Sequence, residues 1–339
     1  MMQTVLWQAR LPATQCGKIY VQVLNSAGQP VPFSLSAWAA LVFRGLNWTC
    51  ISASRHDLFP NRPEKEIKMT QAEQPHTAAF KETHIEVDGF NIRYWESAPP
   101  HPLGTIAMLE GMTWGLSKLR DALGQAYRVI ALELPGFGDS PANDRSQSVS
   151  ELARTMAQAA AAIAPSTYTL IGTSLGANVA LWQTLQSPDP VEALVLIAPT
   201  AIRPTSDPTA SPPADMAKRL FAHPEKAQDL PSVDPVIIAK EQALVQRLTG
   251  GHHDAEAEGR LGEIACATLI IFGSEDPMVT SEAAGIYRER IPNSNLSFVY
   301  DTGHLIEAER PEALVNAVSD FVERRETFIV GRQSGIINP

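Results

Sequence analysis

Apolar positions along the chain fall into two alternating registers. Short continuous runs bounded by Gly, Pro, Asp or Ser read as buried strands, and longer runs with apolar residues every three or four positions read as helices. THIEV and NIRYW, joined by Asp88-Gly89, predict a β-hairpin whose turn dipeptide suits positive φ. TIAMLEG (105–111), YRVIALELPG (127–136), TYTLIGTS (167–174), EALVLIAPT (192–200), ATLIIFGSED (267–276) and NLSFVYDTGH (295–304) predict six more strands. Helical stretches lie between most of them; the one over 149–163 begins at S-V-S-E, which fits a capping box. This rhythm predicts an α/β fold, a mostly parallel eight-stranded sheet with helices on both faces.

One interval breaks the rhythm. Residues 203–266 separate two strands by far more than a crossover helix needs, and open with Pro204, Pro208, Pro212 and Pro213. MAKRLFA and VIIAKEQALVQRLT, the latter between Asp234-Pro235 and Gly250-Gly251, predict helices there. The interval is expected to be a helical cap over the sheet edge, with Phe221, Val236, Ile237 and Leu244 as the apolar residues facing a pocket.

Parallel sheets gather functional residues at strand carboxyl ends, and three chemically capable residues fall there. Ser174, in G-T-S-L-G, sits where a strand turns into a helix. Such a hinge strains the serine backbone and brings neighbouring chain close, so Gly172 and Gly176 must lack side chains. Asp276 and His304 end the last two predicted strands. A serine, a base that takes its proton, an acid that orients the base and donors for an oxyanion make an acyl-transfer site. Glu275 and Asp301 compete with Asp276 for the acid's place.

The order Ser, Asp, His, together with ELPGFGDS (133–140), GTSLG (172–176), GSEDP (273–277) and GHLIEAERPEAL (303–314), resembles the α/β-hydrolase superfamily over roughly residues 80–325. The resemblance implies an α/β-hydrolase fold with Ser174 as nucleophile, Asp276 as triad acid and His304 as general base. Backbone N–H groups of Leu175 and Met112 would form the oxyanion hole. It implies a serine hydrolase acting on a carboxylic ester or related acyl bond of a small, largely apolar substrate. A carbon–carbon (diketone) hydrolase with the same triad, or a non-catalytic small-molecule receptor, are the alternatives. A serine disfavours the dehalogenase and epoxide-hydrolase branches, which need a carboxylate nucleophile. Two positions depart from the family pattern: Glu110-Gly111 stands where His-Gly is usual, and Glu133-Leu134-Pro135-Gly136 where Asp-x-Pro-Gly is frequent. Their strands should lie side by side, so Glu110 and Glu133 are expected to approach each other, with one protonated or with Arg120, Arg145 or Arg203 between them.

Composition narrows the partners. The 339 residues are 44% hydrophobic and 19% charged, as in globular proteins, and the net charge of −10 argues against nucleic acid. The three cysteines, Cys16, Cys50 and Cys266, have neither disulfide nor zinc spacing, so neither a disulfide framework nor a zinc site is expected and Cys266 should be core; the family resemblance implies no metal or cofactor. His252 and His253 are expected to face solvent. The start does not read as a secretory signal and the apolar run Ser36–Phe43 is too short to span a bilayer, so no membrane span and a cytoplasmic location are expected. The pattern carries no signal for oligomeric state. Residues 1–68 hold seven Lys and Arg against three Asp and Glu and none of the motifs. E-K-E-I-K at 64–68 fits purine-rich, ribosome-binding codons just ahead of Met69, so 1–68 is expected to be a non-native leader or disordered extension. The expected domains are then a hydrolase core at 69–202 and 267–325, the cap at 203–266 and a tail at 326–339.

Overall fold

The computed structural model describes residues 79–111, 117–164, 166–204, 216–250 and 253–325, together with two short strands nearer the start. Those strands, β1 (Trp7–Arg10) and β2 (Tyr20–Val23), pair antiparallel within a compact unit of residues 1–71. Met69 and most of the expected leader, Met112, His252 and the tail after residue 325 lie outside the described residues.

The unit of residues 72–339 is built on an eight-stranded sheet of order β10-β9-β8-β7-β5-β6-β4-β3. Its strands are β3 (Lys81–Val87), β4 (Phe90–Ser97), β5 (Thr105–Glu110), β6 (Arg128–Glu133), β7 (Tyr168–Thr173), β8 (Val191–Ile197), β9 (Ala267–Gly273) and β10 (Ser294–Val299). β3 and β4 form the antiparallel hairpin, turned through Asp88 at φ 50° and Gly89 at φ 73°; β4 runs antiparallel to β6, and every pairing from β6 to β10 is parallel. This is the mostly parallel eight-stranded sheet that the strand-helix alternation predicts.

Alternation along the strands divides the core between the two faces. On one, Leu109, Leu132 and Leu170 pack under α2 (Val149–Ile163) and α3 (Leu175–Gln186); on the other, Met108, Ala131 and Ile171 meet α1 (Ser117–Leu123) and α9 (Pro311–Arg324). Ser148 caps α2 by accepting from Glu151 N at 3.1 Å, as the capping box requires. α3 is buried on all sides from Leu175 to Leu185, and its buried polar residues Asn178, Gln183 and Thr184 bond to Thr200, Tyr168 and the Ala180 carbonyl.

The long interval between β8 and β9 contains α4 (Met216–Leu220), a 3-10 turn (Pro224–Asp229), α5 (Pro235–Thr249) and α6 (Ala255–Arg260). α5 is fastened to the loop that follows β6. Lys240 donates to the carbonyls of Gly138 (2.8 Å) and Ser140 (2.5 Å), Glu241 accepts from Gly138 N at 3.0 Å, and Arg247 donates to the carbonyls of Asn143 and Ser146. Leu244 lies between these polar clamps and is buried, as is Phe221. Val236, in the first turn of α5, is however 73% exposed, whereas Ile237 is half-buried on the face it shares with the buried Glu241, Leu244 and Leu248.

α3 crosses close beneath the sheet only because Gly176 has no side chain. A Cβ there would stand 2.1 Å from the carbonyl oxygen of Leu109. Gly176→Ala is therefore expected to cost about 3 kcal/mol or more in urea unfolding, a clash that only backbone movement relieves. Gly259→Ala in α6, where a Cβ meets nothing within 4 Å, should instead be neutral or gain up to about 1 kcal/mol from helix propensity.

Candidate active site

β7 ends at Thr173 and α3 begins at Leu175, leaving Ser174 alone to make the turn, at φ 51° and ψ −117°. This is a sparsely populated conformation for a residue with a side chain, and it persists because its surroundings leave no alternative. Ser174 N donates to the Ile197 carbonyl at 2.9 Å, while the Ser174 carbonyl accepts from Ala177 N and Asn178 N. Three glycines let the backbones close around it. A Cβ on Gly172 would meet the Gly176 carbonyl oxygen at 2.3 Å, and one on Gly111 would meet the Thr173 carbonyl oxygen at 2.1 Å and Leu175 N at 3.0 Å.

The serine side chain does not cap α3 and is left for another partner. Its Oγ lies 2.9 Å from His304 Nε2, and His304 Nδ1 lies 2.9 Å from Asp276 Oδ2. Both ring and carboxylate are sealed from water, with side-chain exposures of 1% and 0%. Asp276 Oδ1 accepts from Met278 N (2.7 Å) and Val279 N (3.1 Å), which fixes the plane of the carboxylate. Asp276 accepts a hydrogen bond from His304 Nδ1–H, which leaves Nε2 as the acceptor for the serine hydroxyl. The competing carboxylates are elsewhere. Glu275 is exposed, and Asp301 bonds to His223 (2.8 Å) and Arg310 (3.1 Å), which together hold it below the usual carboxylate range. Leu175, with its N–H beside Gly111, is buried next to the serine.

Residues 94–317 match the model of the alpha/beta hydrolase family. The chain belongs to that family. Among its relatives, the 2-hydroxy-6-oxononadienedioate/2-hydroxy-6-oxononatrienedioate hydrolase of Klebsiella pneumoniae is 28% identical over 284 residues, covering 74% of this chain and 99% of that one. The pimeloyl-[acyl-carrier protein] methyl ester esterase of Photobacterium profundum is 23% identical over 238 residues, covering 63% and 91%. Of solved structures, the serine hydrolase CCSP0084 of Cycloclasticus zankles superposes with a TM-score of 0.59 at 16% identity, over 72% of this chain and 98% of that one. Hydrolysis is the activity these relatives share.

Around the site the hydrolase departs from several expectations. Glu110 and Glu133 are register partners on adjacent strands, but each carboxylate meets its own arginine. Glu133 bonds to Arg93 (2.6 Å) and accepts from Ser140 Oγ (2.5 Å), while Glu110 lies 3.7 Å from Arg120. Both guanidiniums stack on Trp95, at 4.8 and 5.8 Å from ring centroids. Arg145 lies instead over Phe90 and Arg203 bonds to the Thr200 carbonyl, so Arg120 is the one expected cation near the pair. Arg93 was legible in principle, since on β4 it shares a face with Trp95. His253 does not face solvent: its Nδ1 accepts from Arg203 N and its Nε2 lies 2.6 Å from Glu258. Cys266 is half-buried against the core. Glu309, unmarked by any pattern, accepts from Gly303 N (2.6 Å), His223 N (2.9 Å) and Ala222 N (3.2 Å), binding the His304 loop to the segment after α4. Among the described residues no group of His, Cys, Asp and Glu is placed to hold a metal, and no helix is long and apolar enough to cross a membrane.

The Arg93–Glu133 pair is largely buried, with side-chain exposures of 17% and 9%. Removing the cation alone leaves a desolvated carboxylate without compensation. Arg93→Met is expected to lower unfolding free energy by about 3 kcal/mol, and Arg93→Met with Glu133→Gln by clearly less, because the second change removes the stranded charge. A urea titration of the four proteins of the cycle checks this.

Proposed function

We propose that the chain is a serine hydrolase cleaving a carboxylic ester or related acyl bond of a small, largely apolar substrate. The observation that carries this reading is the unbroken hydrogen-bond chain from Ser174 Oγ through His304 to Asp276, shielded from water at the carboxyl ends of three strands. In this mechanism His304 Nε2 takes the proton as Ser174 Oγ attacks the carbonyl carbon, and the imidazolium so formed is stabilised by Asp276. The same proton passes to the leaving alkoxide. Water, deprotonated by His304, then attacks the acyl-enzyme and releases the acid and the serine. Leu175 N–H and Met112 N–H receive the oxyanion, whose charge develops only in the transition state.

The segment 203–266 acts as the cap of a core formed by 69–202 and 267–325. Phe221 supports this assignment: its backbone lies so near Gly303 that a Cβ there would meet the Phe221 Cα at 2.9 Å, one residue from the base. Leu244 contributes from α5, beside Gly136. Apolar cap residues such as the buried Phe221 and Leu244 would favour apolar acyl or alcohol groups by the area removed from water. The Klebsiella relative gives a second reading some weight, carbon–carbon cleavage of a diketone by the same three residues.

On p-nitrophenyl acetate, Ser174→Ala and His304→Ala should each lower kcat/KM by about 10⁴ or more, and the double variant should be hardly worse, since the two act as a unit. Asp276→Asn, which favours the wrong imidazole tautomer, should cost about 10⁴ in kcat with the fold intact. A Ser174→Ala protein that retains more than about a tenth of the parent rate sinks the mechanism. Faster turnover of a ring-cleavage diketone than of any ester, with the same dependence on Ser174, moves the assignment to the second reading.

A further inference from the structure

Behind the site, one carboxyl group joins two segments that the mechanism needs held together. Glu307 stands in α8 (Ile306–Glu309), three residues after His304, and its Oε1 accepts from Lys118 N at 2.7 Å. Lys118 is the second residue of α1, so this N–H has no partner within its own helix; Glu307 caps it from across the fold, 189 positions away. α1 follows directly on the segment that carries the expected oxyanion donor. The other oxygen of Glu307, Oε2, is buried with no hydrogen-bond partner. Burial, and secondarily the charge of Glu110, raises this carboxyl to about 7.

The charges around it are few. β5 presents Glu110, which Arg120 of α1 approaches to 3.7 Å, and Lys118 of α1 acts weakly on Glu307 itself. Asp121 lies on the solvent side of Arg120. α9, packed on both α8 and α1, buries Leu314 and Val318, and its first carboxylate, Glu312, is exposed. Glu309 of the same turn is committed to Gly303, Ala222 and His223, and His304 to Ser174 and Asp276.

We infer that Glu307 is a positioning residue of the proposed hydrolase site: reaching from the turn after His304, its carboxyl caps Lys118 N and pins the start of α1 to the His304 loop, and a net charge added at that half-buried junction destabilises it. A protonated Glu307 caps Lys118 through Oε1 while its Oε2–H is neutral toward Glu110. Once ionised, it brings a second negative charge against Glu110 in a site poor in water. The inference rests on the serine-hydrolase reading for its catalytic consequence, but not for its effect on stability.

The linkage has a definite sign. A carboxyl raised in the folded state holds a proton that the unfolded chain has already released, so stability falls as pH rises from the ordinary carboxylate range to about 7. Glu307→Gln keeps the acceptor for Lys118 and does not titrate. Thermal unfolding should therefore show the parent losing several degrees relative to Glu307→Gln at about pH 8, and no such gap at about pH 5. Equal gaps at both pH values, or none, overturn the inference. Should Glu307→Gln fail to fold, Glu110→Gln, which relieves the smaller, repulsive part of the effect and leaves the burial, must give a pH-selective gain of the same sign and smaller size, and its absence is equally fatal. In turnover of a small ester, Glu307→Ala should lower kcat with KM unchanged, Glu307→Gln should restore it, and the ratio of kcat at pH 8 to pH 6 should be severalfold larger in Glu307→Gln than in the parent. Unchanged kcat in Glu307→Ala, or no rescue by Gln, removes the positioning role. A Ser174→Ala protein as active as the parent overturns the serine-hydrolase reading instead and leaves the unfolding comparison to decide the carboxyl pair.

Discussion

The rest of the site hangs on one backbone conformation, Ser174 at φ 51° between the end of β7 and the start of α3. Left to itself an L-residue abandons such angles, at a cost of order 1–3 kcal/mol. Here it is over-determined. The Ile197 carbonyl takes its N–H, α3 is buried on every side, and β5 and the turn at Gly111 press against it from the other direction. The strain points the hydroxyl away from the helix it would otherwise cap and toward His304. It also leaves the first N–H groups of α3 without intrahelical partners, which is where an anionic oxygen is best received.

Two different kinds of force then hold the partners in place. Asp276 is fixed by backbone N–H groups of its own turn, a local device that any rearrangement of the surroundings leaves intact. His304 depends on long-range ties, since Glu309 grips the N–H of Gly303 and Phe221 closes over the same glycine. On the opposite side, Glu110 and Glu133, which replace the family's usual residues, are absorbed by Arg120, Arg93 and the face of Trp95. The unusual carboxylates thus carry their own counter-charges, and the carboxyl that feels the charge of Glu110 is Glu307 of the His304 turn.

Much of the architecture was legible because the signals were local. A strand-to-helix glycine pair identified the Ser174 turn, Asp88-Gly89 identified the hairpin, and apolar runs placed the strands close to their observed limits. Strand-end position alone brings Ser174, Asp276 and His304 to one rim, and among the described residues Asp276 is the carboxylate that bonds to His304. What failed was long-range. Periodicity put Ile237 and Leu244 on the inward side of α5 but not the exposed Val236 on its outer side, and it carried no sign of Lys240, Glu241 and Arg247 reaching loop carbonyls and an N–H some hundred positions away. His253 looked like a loop histidine and is held by Arg203 and Glu258. Register between β5 and β6 correctly juxtaposed Glu110 and Glu133, but the arginine on β4 that claims Glu133 comes from an antiparallel partner whose register no local motif reveals. Ala198, at φ 46° just after β8, carried no glycine to advertise its strain.

Activation of Ser174 as a nucleophile by His304 is open to covalent capture without knowledge of the substrate. Incubation with a fluorophosphonate followed by intact-mass and peptide analysis should give one phosphonyl adduct per chain, on the peptide containing Ser174. Labelling should be abolished in Ser174→Ala and slowed by orders of magnitude in His304→Ala. Folded parent protein that takes up no label, or takes it up at another residue, would contradict the account and favour a binding protein built on the hydrolase fold.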